Sequence, residues 1–347
     1  MTVKTETDDR RLPPAGPFRR AFTVAATLCV LMGVAASAVR AEGVGGALPS
    51  GGVDQETLIT RDPNLQRFDN PVWSPNGRHL AVSDARMNGV YVLDTADGAC
   101  LRVTDTPSSG YMYHWSRDGG RLAFKLLEPA EGGESYQQVP VVFDVHARRL
   151  IALHGPVARA GVPSFSNNGL IAFTVDAELW LTEGDGRPVK TFGLGGYANL
   201  APISPDGAQV AYNCDDDRIW VLDLATGGRR ALTPEGEGYF GPLWSPDSAK
   251  LVVSTLTGRL KTIEVATGRV IELDEGTGPS WSPASDAVFY CRTDRIDGVR
   301  VLRSDVCAVG WDGTGRVQLT STPSAGYIRS ACVSADGASL ACAGLLD

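Results

Sequence analysis

The chain contains none of the short signatures that mark common catalytic machinery. It has no G-x-S-x-G elbow, no H-E-x-x-H, no phosphate-cradling P-loop and no dinucleotide fingerprint. That argues against an α/β-type hydrolase, a zinc protease of the H-E-x-x-H kind, a P-loop NTPase and a nicotinamide oxidoreductase. Histidine is scarce: His79, His114, His146 and His154 show no H-x-H or H-x-x-x-H spacing, so neither a metal site nor a cofactor is expected. Basic charge is also short, with 32 Lys and Arg against 40 Asp and Glu. Nucleic-acid binding needs a basic footprint, and none is present. Beyond the first 41 residues no segment is long and apolar enough to span a bilayer. Apolar residues still make up 43% of the chain, enough to build a core.

Residues 1–41 follow their own rules. A polar stretch ends in Arg19-Arg20, the run "AFTVAATLCVLMGVAASAV" follows, and small residues close it at Ala36-Ser37-Ala38 or Val39-Arg40-Ala41. This is the order of an export signal, by either the Sec or the twin-arginine route, and it predicts a periplasmic or secreted protein without a membrane span once the signal is cleaved. Without Lys4, Arg10, Arg11, Arg19, Arg20, Arg40, Glu6, Asp8 and Asp9, 26 basic and 37 acidic residues remain, a net charge of −11. Residues 42–55 read as a Gly-rich linker, and 56–347 as one repeat domain.

What the chain has in abundance is a repeat. "WSPNGRHLAV" at Trp73, "HWSRDGGRLAF" at His114, "WSPDSAKLVV" at Trp244 and "WSPASDAVFY" at Trp281 share a tight turn and a short apolar strand. Aligned on the serine, seven copies fall at Ser74, Ser116, Ser166, Ser204, Ser245, Ser282 and Ser334, separated by 42, 50, 38, 41, 37 and 52 residues. Units of this length with four short strands are propeller blades. The fold class is therefore all-β: a β-propeller of four-stranded antiparallel sheets, seven blades with six as the alternative, closed by an N-terminal strand. "ETLITRD", Glu56 to Asp62, matches the fourth-strand segments "CLRVTDT" at Cys100 and "VQLTSTP" at Val317, and is expected to complete the last blade.

The W-S-P-D-G-x-x-[LIV]-A-F pattern, with "ISPDGAQVAY" at Ile203, "SFSNNGLIAF" at Ser164 and "VSADGASLAC" at Val333, resembles the TolB-like, or PD40, WD40-like propeller repeat. The resemblance covers nearly all of residues 55–347. It implies the fold and leaves the activity open. Such propellers precede hydrolase domains in prolyl-oligopeptidase-like enzymes, and neither such a domain nor the α/β domain that precedes the propeller in TolB is expected here.

Four repeated items remain. Trp73, Trp115, Trp244 and Trp281 occupy one repeat position and are expected to pack blade on blade, each contributing roughly 2–3 kcal/mol by burial. "GY" recurs at Tyr111, Tyr197, Tyr239 and Tyr327, in connections on one face. These tyrosines are expected either to rim the channel mouth as a surface for a protein or peptide or to close the blade junctions as core. "NCDDDRIW" at Asn213 lacks Ca²⁺-loop spacing and reads as a solvated turn. Of six cysteines beyond the signal, Cys291 with Cys307 and Cys332 with Cys342 are the candidate disulfides, given that each pair lies on neighbouring strands. The function expected is a non-catalytic exported scaffold that binds another envelope or extracellular protein or peptide. The alternatives are a polysaccharide-processing enzyme of the oligogalacturonate-lyase kind and a module of a larger assembly.

Overall fold

The computed structural model describes residues 27–32, 35–37, 68–84, 86–130, 135–296, 300–321 and 327–345. They form strands, turns and loops only, in seven sheets, one for each copy of the serine motif. Blade 5 shows the pattern in full. Tyr239–Trp244 is the inner strand, Lys250–Thr255 the second, Arg259–Glu264 the third and Arg269–Glu275 the outer edge. Leu251, Val252 and Val253 are all buried, because both faces of the second strand pack against neighbouring blades. The outer strand touches a neighbour along one edge only, and its residues are mostly half-buried or exposed.

Four further sheets, those of blades 1, 2, 3 and 6, repeat this antiparallel order. Blade 4 has three strands, Gln209–Tyr212, Trp220–Asp223 and Arg229–Ala231. Its inner segment is reduced to a bridge between Ile203 and Val210. Pro202 and Pro205 flank that bridge and supply no N–H to a ladder.

The recurrent serine is the hinge of every blade. Its hydroxyl accepts the backbone N–H that opens the second strand, as in His79 to Ser74 (2.9 Å) and Lys250 to Ser245 (2.9 Å). The same hydroxyl donates to the Asp or Asn two residues on, as in Ser245 to Asp247 and Ser204 to Asp206. In blade 6 Ala284 stands at that place, and Ser282 turns to Asp286 instead. The next residue is held at positive φ: Gly77, Gly119, Gly169, Gly207 and Gly337 in five blades, but Ser248 (62°) and Ser285 (61°) in blades 5 and 6. Those two serines accept a backbone N–H from the preceding blade's turn, Asp206 to Ser248 and Asp247 to Ser285, both at 3.0 Å. The left-handed conformation there is offset by a bond that glycine cannot make.

The tryptophans join blade to blade as expected. The indole N–H of Trp115 donates to Val72 (3.0 Å), that of Trp244 to Pro202 (2.8 Å) and that of Trp281 to Leu243 (3.0 Å). Each acceptor lies two residues before the motif serine of the preceding blade. Trp73, at the ring closure, is the exception: its indole nitrogen is buried without a partner.

The ring closes between blades 7 and 1. Phe68, Leu80, Val82 and Leu93 pack with Ala341 and Ala343. Above them Asp69 pairs with Arg329 (3.2 Å) and accepts from Ser330 (3.0 Å). Blade 7 is mixed. Tyr327–Val333 and Ser339–Leu345 are antiparallel, Thr27–Met32 lies parallel to the second of them, and Ala35–Ser37 pairs beyond. The Glu56–Asp62 segment falls outside the described residues.

The strand register overturns both candidate disulfides. Tyr290, not Cys291, lies opposite Cys307, and Ala331, not Cys332, lies opposite Cys342. Side chains alternate across a sheet, so a one-residue offset sends the two sulfurs of each pair to opposite faces. None of the six cysteines described in this domain is in a disulfide, and burial pushes the Cys291 thiol up to about 12 and those of Cys307 and Cys332 to about 11. Among the described residues no helix is long and apolar enough to cross a membrane.

Candidate functional site

In an up-and-down blade, the turns between strands 1–2 and 3–4 share one face of the ring. The hairpins between strands 2–3 and the links to the next blade share the other. The two faces differ sharply in what they expose. Nine large apolar side chains are exposed among the described residues. Met87, Tyr111, Tyr136, Phe240, Leu256, Val301 and Leu302 all belong to the hairpin face, whereas Leu150 and Val189 lie on outer strands. None lies in a serine turn, so the hairpin face is the one with apolar surface to offer.

The inner strands and the links into them bring to that face the residue five before each motif serine. Around the ring these are Asp69, Tyr111, Gly161, Asn199, Phe240, Thr277 and Arg329. Tyr111 is 45% exposed and Phe240 42%, on blades 2 and 5, and the Asp69–Arg329 pair sits at the closure. Bulges in the inner strands of blades 1, 5, 6 and 7 sit beside this position. A bulge re-aims the residues next to it, which is how a strand buried further down can turn a ring outward at its end.

The four GY tyrosines share a motif but not a register. Tyr111 lies five residues before its serine, Tyr239 six, and Tyr197 and Tyr327 seven. Tyr239 therefore points into the core, 1% exposed, with its hydroxyl donating to Glu237 (2.8 Å) while Lys261 pairs with the same carboxylate. It offers no surface, and Phe240, the next residue, takes the exposed place. Tyr197 is half-buried: its hydroxyl donates to Ala160 O (3.0 Å), and the Arg159 guanidinium lies 5.0 Å from its ring centre. Tyr327 is half-buried in the inner strand of blade 7. Of the four, Tyr111 alone is exposed, and Phe240 is exposed beside the buried Tyr239; the signal for Phe240 in the sequence was its offset from the serine rather than its motif.

Asn199 of this set belongs to a polar cage. Lys125 reaches from blade 2 and donates to Gln138 Oε1 (3.1 Å), Ala160 O (2.9 Å) and Asn199 Oδ1 (2.7 Å). All three acceptors are neutral, and desolvation lowers its ammonium to about 8. Gly161 makes the cage possible, because a Cβ there would stand 2.4 Å from Thr174 Oγ1 and 2.9 Å from Ala198 O. The inner strands of blades 3 and 4 can then bond directly, Val162 N to Asn199 O (2.9 Å).

The remaining polar candidates do not converge. His79 stacks on Trp115 (6.0 Å between ring centres), and His154 meets Trp180 edge-on (5.0 Å). His114 sits in the inner strand of blade 2, where desolvation lowers it to about 4. Among the described residues no three His, Cys, Asp or Glu side chains are placed to hold a metal ion.

Comparison with known proteins agrees with this architecture. No family model matches the chain. A putative Tricorn-like protease N-terminal subunit of Sulfurisphaera tokodaii is 33% identical over 96 residues. That alignment takes in 24% of this chain and 47% of the relative, so the chain spans about half the length of the curated relative it matches. Among solved structures, TolB from Acinetobacter baumannii superposes with a TM-score of 0.52 at 16% identity, over 84% of this chain and 60% of that one. An oligogalacturonate lyase in complex with manganese gives 0.54 at 14% identity, over 74% and 79%. At such identities the likeness establishes a shared fold, and with the sheet order it makes this chain an all-β propeller similar to TolB.

Proposed function

We propose that this protein is an exported, non-catalytic scaffold whose hairpin face recognises a protein or peptide of the cell envelope. The observation that carries this reading is the segregation of exposed apolar side chains to that face, with Tyr111 and Phe240 at one ring position of the channel mouth. Aromatic anchors on a rigid frame suit protein recognition, since little side-chain entropy is lost on contact. A closed ring held by blade-to-blade indole bonds supplies such a frame. Export rests on the n-, h- and c-region order of residues 1–41. Cleavage there would release the edge of Ser339–Leu345 from Thr27–Met32 and leave it for Glu56–Asp62, the segment that resembles the other outer strands.

The test compares two double variants of the mature protein as baits for envelope extract. Tyr111→Ala with Phe240→Ala alters the mouth; Leu150→Ser with Val189→Ser alters the outer strands. Melting curves check that both are folded. The reading predicts a retained protein lost only from the first variant. Retention that ignores both pairs would remove the channel mouth as the contact. Release of unsaturated products from uronides by the wild type would move the protein to the lyase reading.

A further inference from the structure

Away from the channel mouth, at the junction of blades 3 and 4, a cleft of about 420 Å³ opens on the hairpin face. That is within the size range of small-molecule sites. Its wall is Trp220, set in place from two sides: the indole N–H donates to Asp216 Oδ2 (2.9 Å), and Arg218 lies 5.3 Å from the ring centre. Arg218 is itself tied down by Thr233 O (2.9 Å) and Glu235 (3.4 Å). Leu194 and the buried Tyr212 form the floor.

The cleft carries charges of both signs. Arg229 is anchored on Gly193 O (3.2 Å) and on the Tyr212 side chain, and it faces the cleft with no carboxylate of the described residues within ion-pair distance. Asp215 lines the same cleft and accepts no hydrogen bond and no ion pair from the described residues. The guanidinium thus shares one concave space with two carboxylates, Asp215 and the indole-bound Asp216, and pairs with neither. The Cys214 thiol beside them donates to Gly196 O (3.5 Å) and remains protonated at neutral pH, because burial raises it to about 11. It adds no charge and no nucleophile.

We infer that this cleft binds a small zwitterion of the α-amino-acid class. Its carboxylate meets the Arg229 fork, its ammonium meets Asp215, and its side chain lies against Trp220. A guanidinium and a carboxylate held apart select against ligands that carry one charge, since each lone charge leaves the opposite group of the cleft unanswered. A neutral sugar could stack on the indole but would gain nothing from that separation. The site is independent of the channel mouth, and neither Tyr111 nor Phe240 borders it.

The test is calorimetric titration of the folded mature protein with L-phenylalanine, phenethylamine, 3-phenylpropionate and a neutral hexose. The inference predicts that phenylalanine binds tightest and that Trp220→Ala abolishes its binding. Arg229→Gln should weaken phenylalanine and 3-phenylpropionate about tenfold and leave phenethylamine unchanged. Asp215→Asn should do the converse. Absence of phenylalanine binding at about 10 mM overturns the inference. So does hexose binding of equal strength, or a loss in Arg229→Gln that is the same for all three phenyl compounds. Melting curves confirm that each variant is folded before it is titrated.

Discussion

The two faces of this ring are built from the same repeat and treat polar groups in opposite ways. On the turn face each serine, its Asp or Asn partner and the opening N–H of the second strand satisfy one another. Side chains then carry the bonding from blade to blade, as Asn76 does to Asp118 O (2.8 Å) and Ser285 to Asp247 N. On the hairpin face the loops vary in length, bulges turn residues outward, and Tyr111, Phe240 and Leu256 (73% exposed) meet solvent. The difference teaches where one repeat can be specified tightly and where it can be varied. Residues that close the turn hold the blade together, whereas residues at the other end are free to be chosen for what they contact.

The largest effect expected from breaking that division is on the junctions beneath the turn face. Trp115→Ala removes a buried ring and its bond to Val72, and should cost about 3–5 kcal/mol in denaturant unfolding. Ser245→Ala strands the Lys250 N–H in a buried turn, for a loss of about 1–3 kcal/mol.

The inner strand of blade 2 adds a pH dependence. Desolvation lowers His114 from 6.5 to about 4, so the unfolded chain binds its proton first as pH falls. Stability from this group is present above pH 6.5 and is lost between there and pH 4, by at most about 2 kcal/mol at pH 5. His114→Phe should flatten that part of the stability profile between pH 7 and pH 5. Smallest in stability is the hairpin face: Tyr111→Ala with Phe240→Ala should shift unfolding by no more than about 0.5 kcal/mol per site. A loss as large as that of Ser245→Ala would make those aromatics structural and erase the contrast.

The turn face was almost fully legible in the sequence, because its chemistry is local. Ser74 reaches only to Asn76 and His79, so the motif spells out its own bonds. Even the exception in blade 6 is written as Ala284 followed by Asp286. The hairpin face was legible only in part. GY marked the right connections, yet an offset of five, six or seven residues from the serine decides whether the tyrosine emerges or is buried, since each step reverses the side chain. Counting from Ser245 rather than from Gly238 would have selected Phe240 over Tyr239. The same alternation separates Cys291 from Cys307, which a reading by strand alone brings together. The Lys125 cage had no signal at all, and the blade 3–4 cleft showed only as NCDDDRIW, which read as a solvated turn. Gln138, Ala160 and Asn199 come from three separate segments, and Leu194 and Gly195 close the cleft only once blade 3 leads into blade 4.

The most direct test of the central claim places a photo-crosslinking residue at one position per face of the mature protein. Position 240 represents the hairpin face and position 117, in the exposed part of the blade 2 turn, the other. Irradiation in living cells should give a discrete adduct from position 240 and none from position 117. An adduct from 117 alone, or equal adducts from both, would contradict the assignment of recognition to the hairpin face.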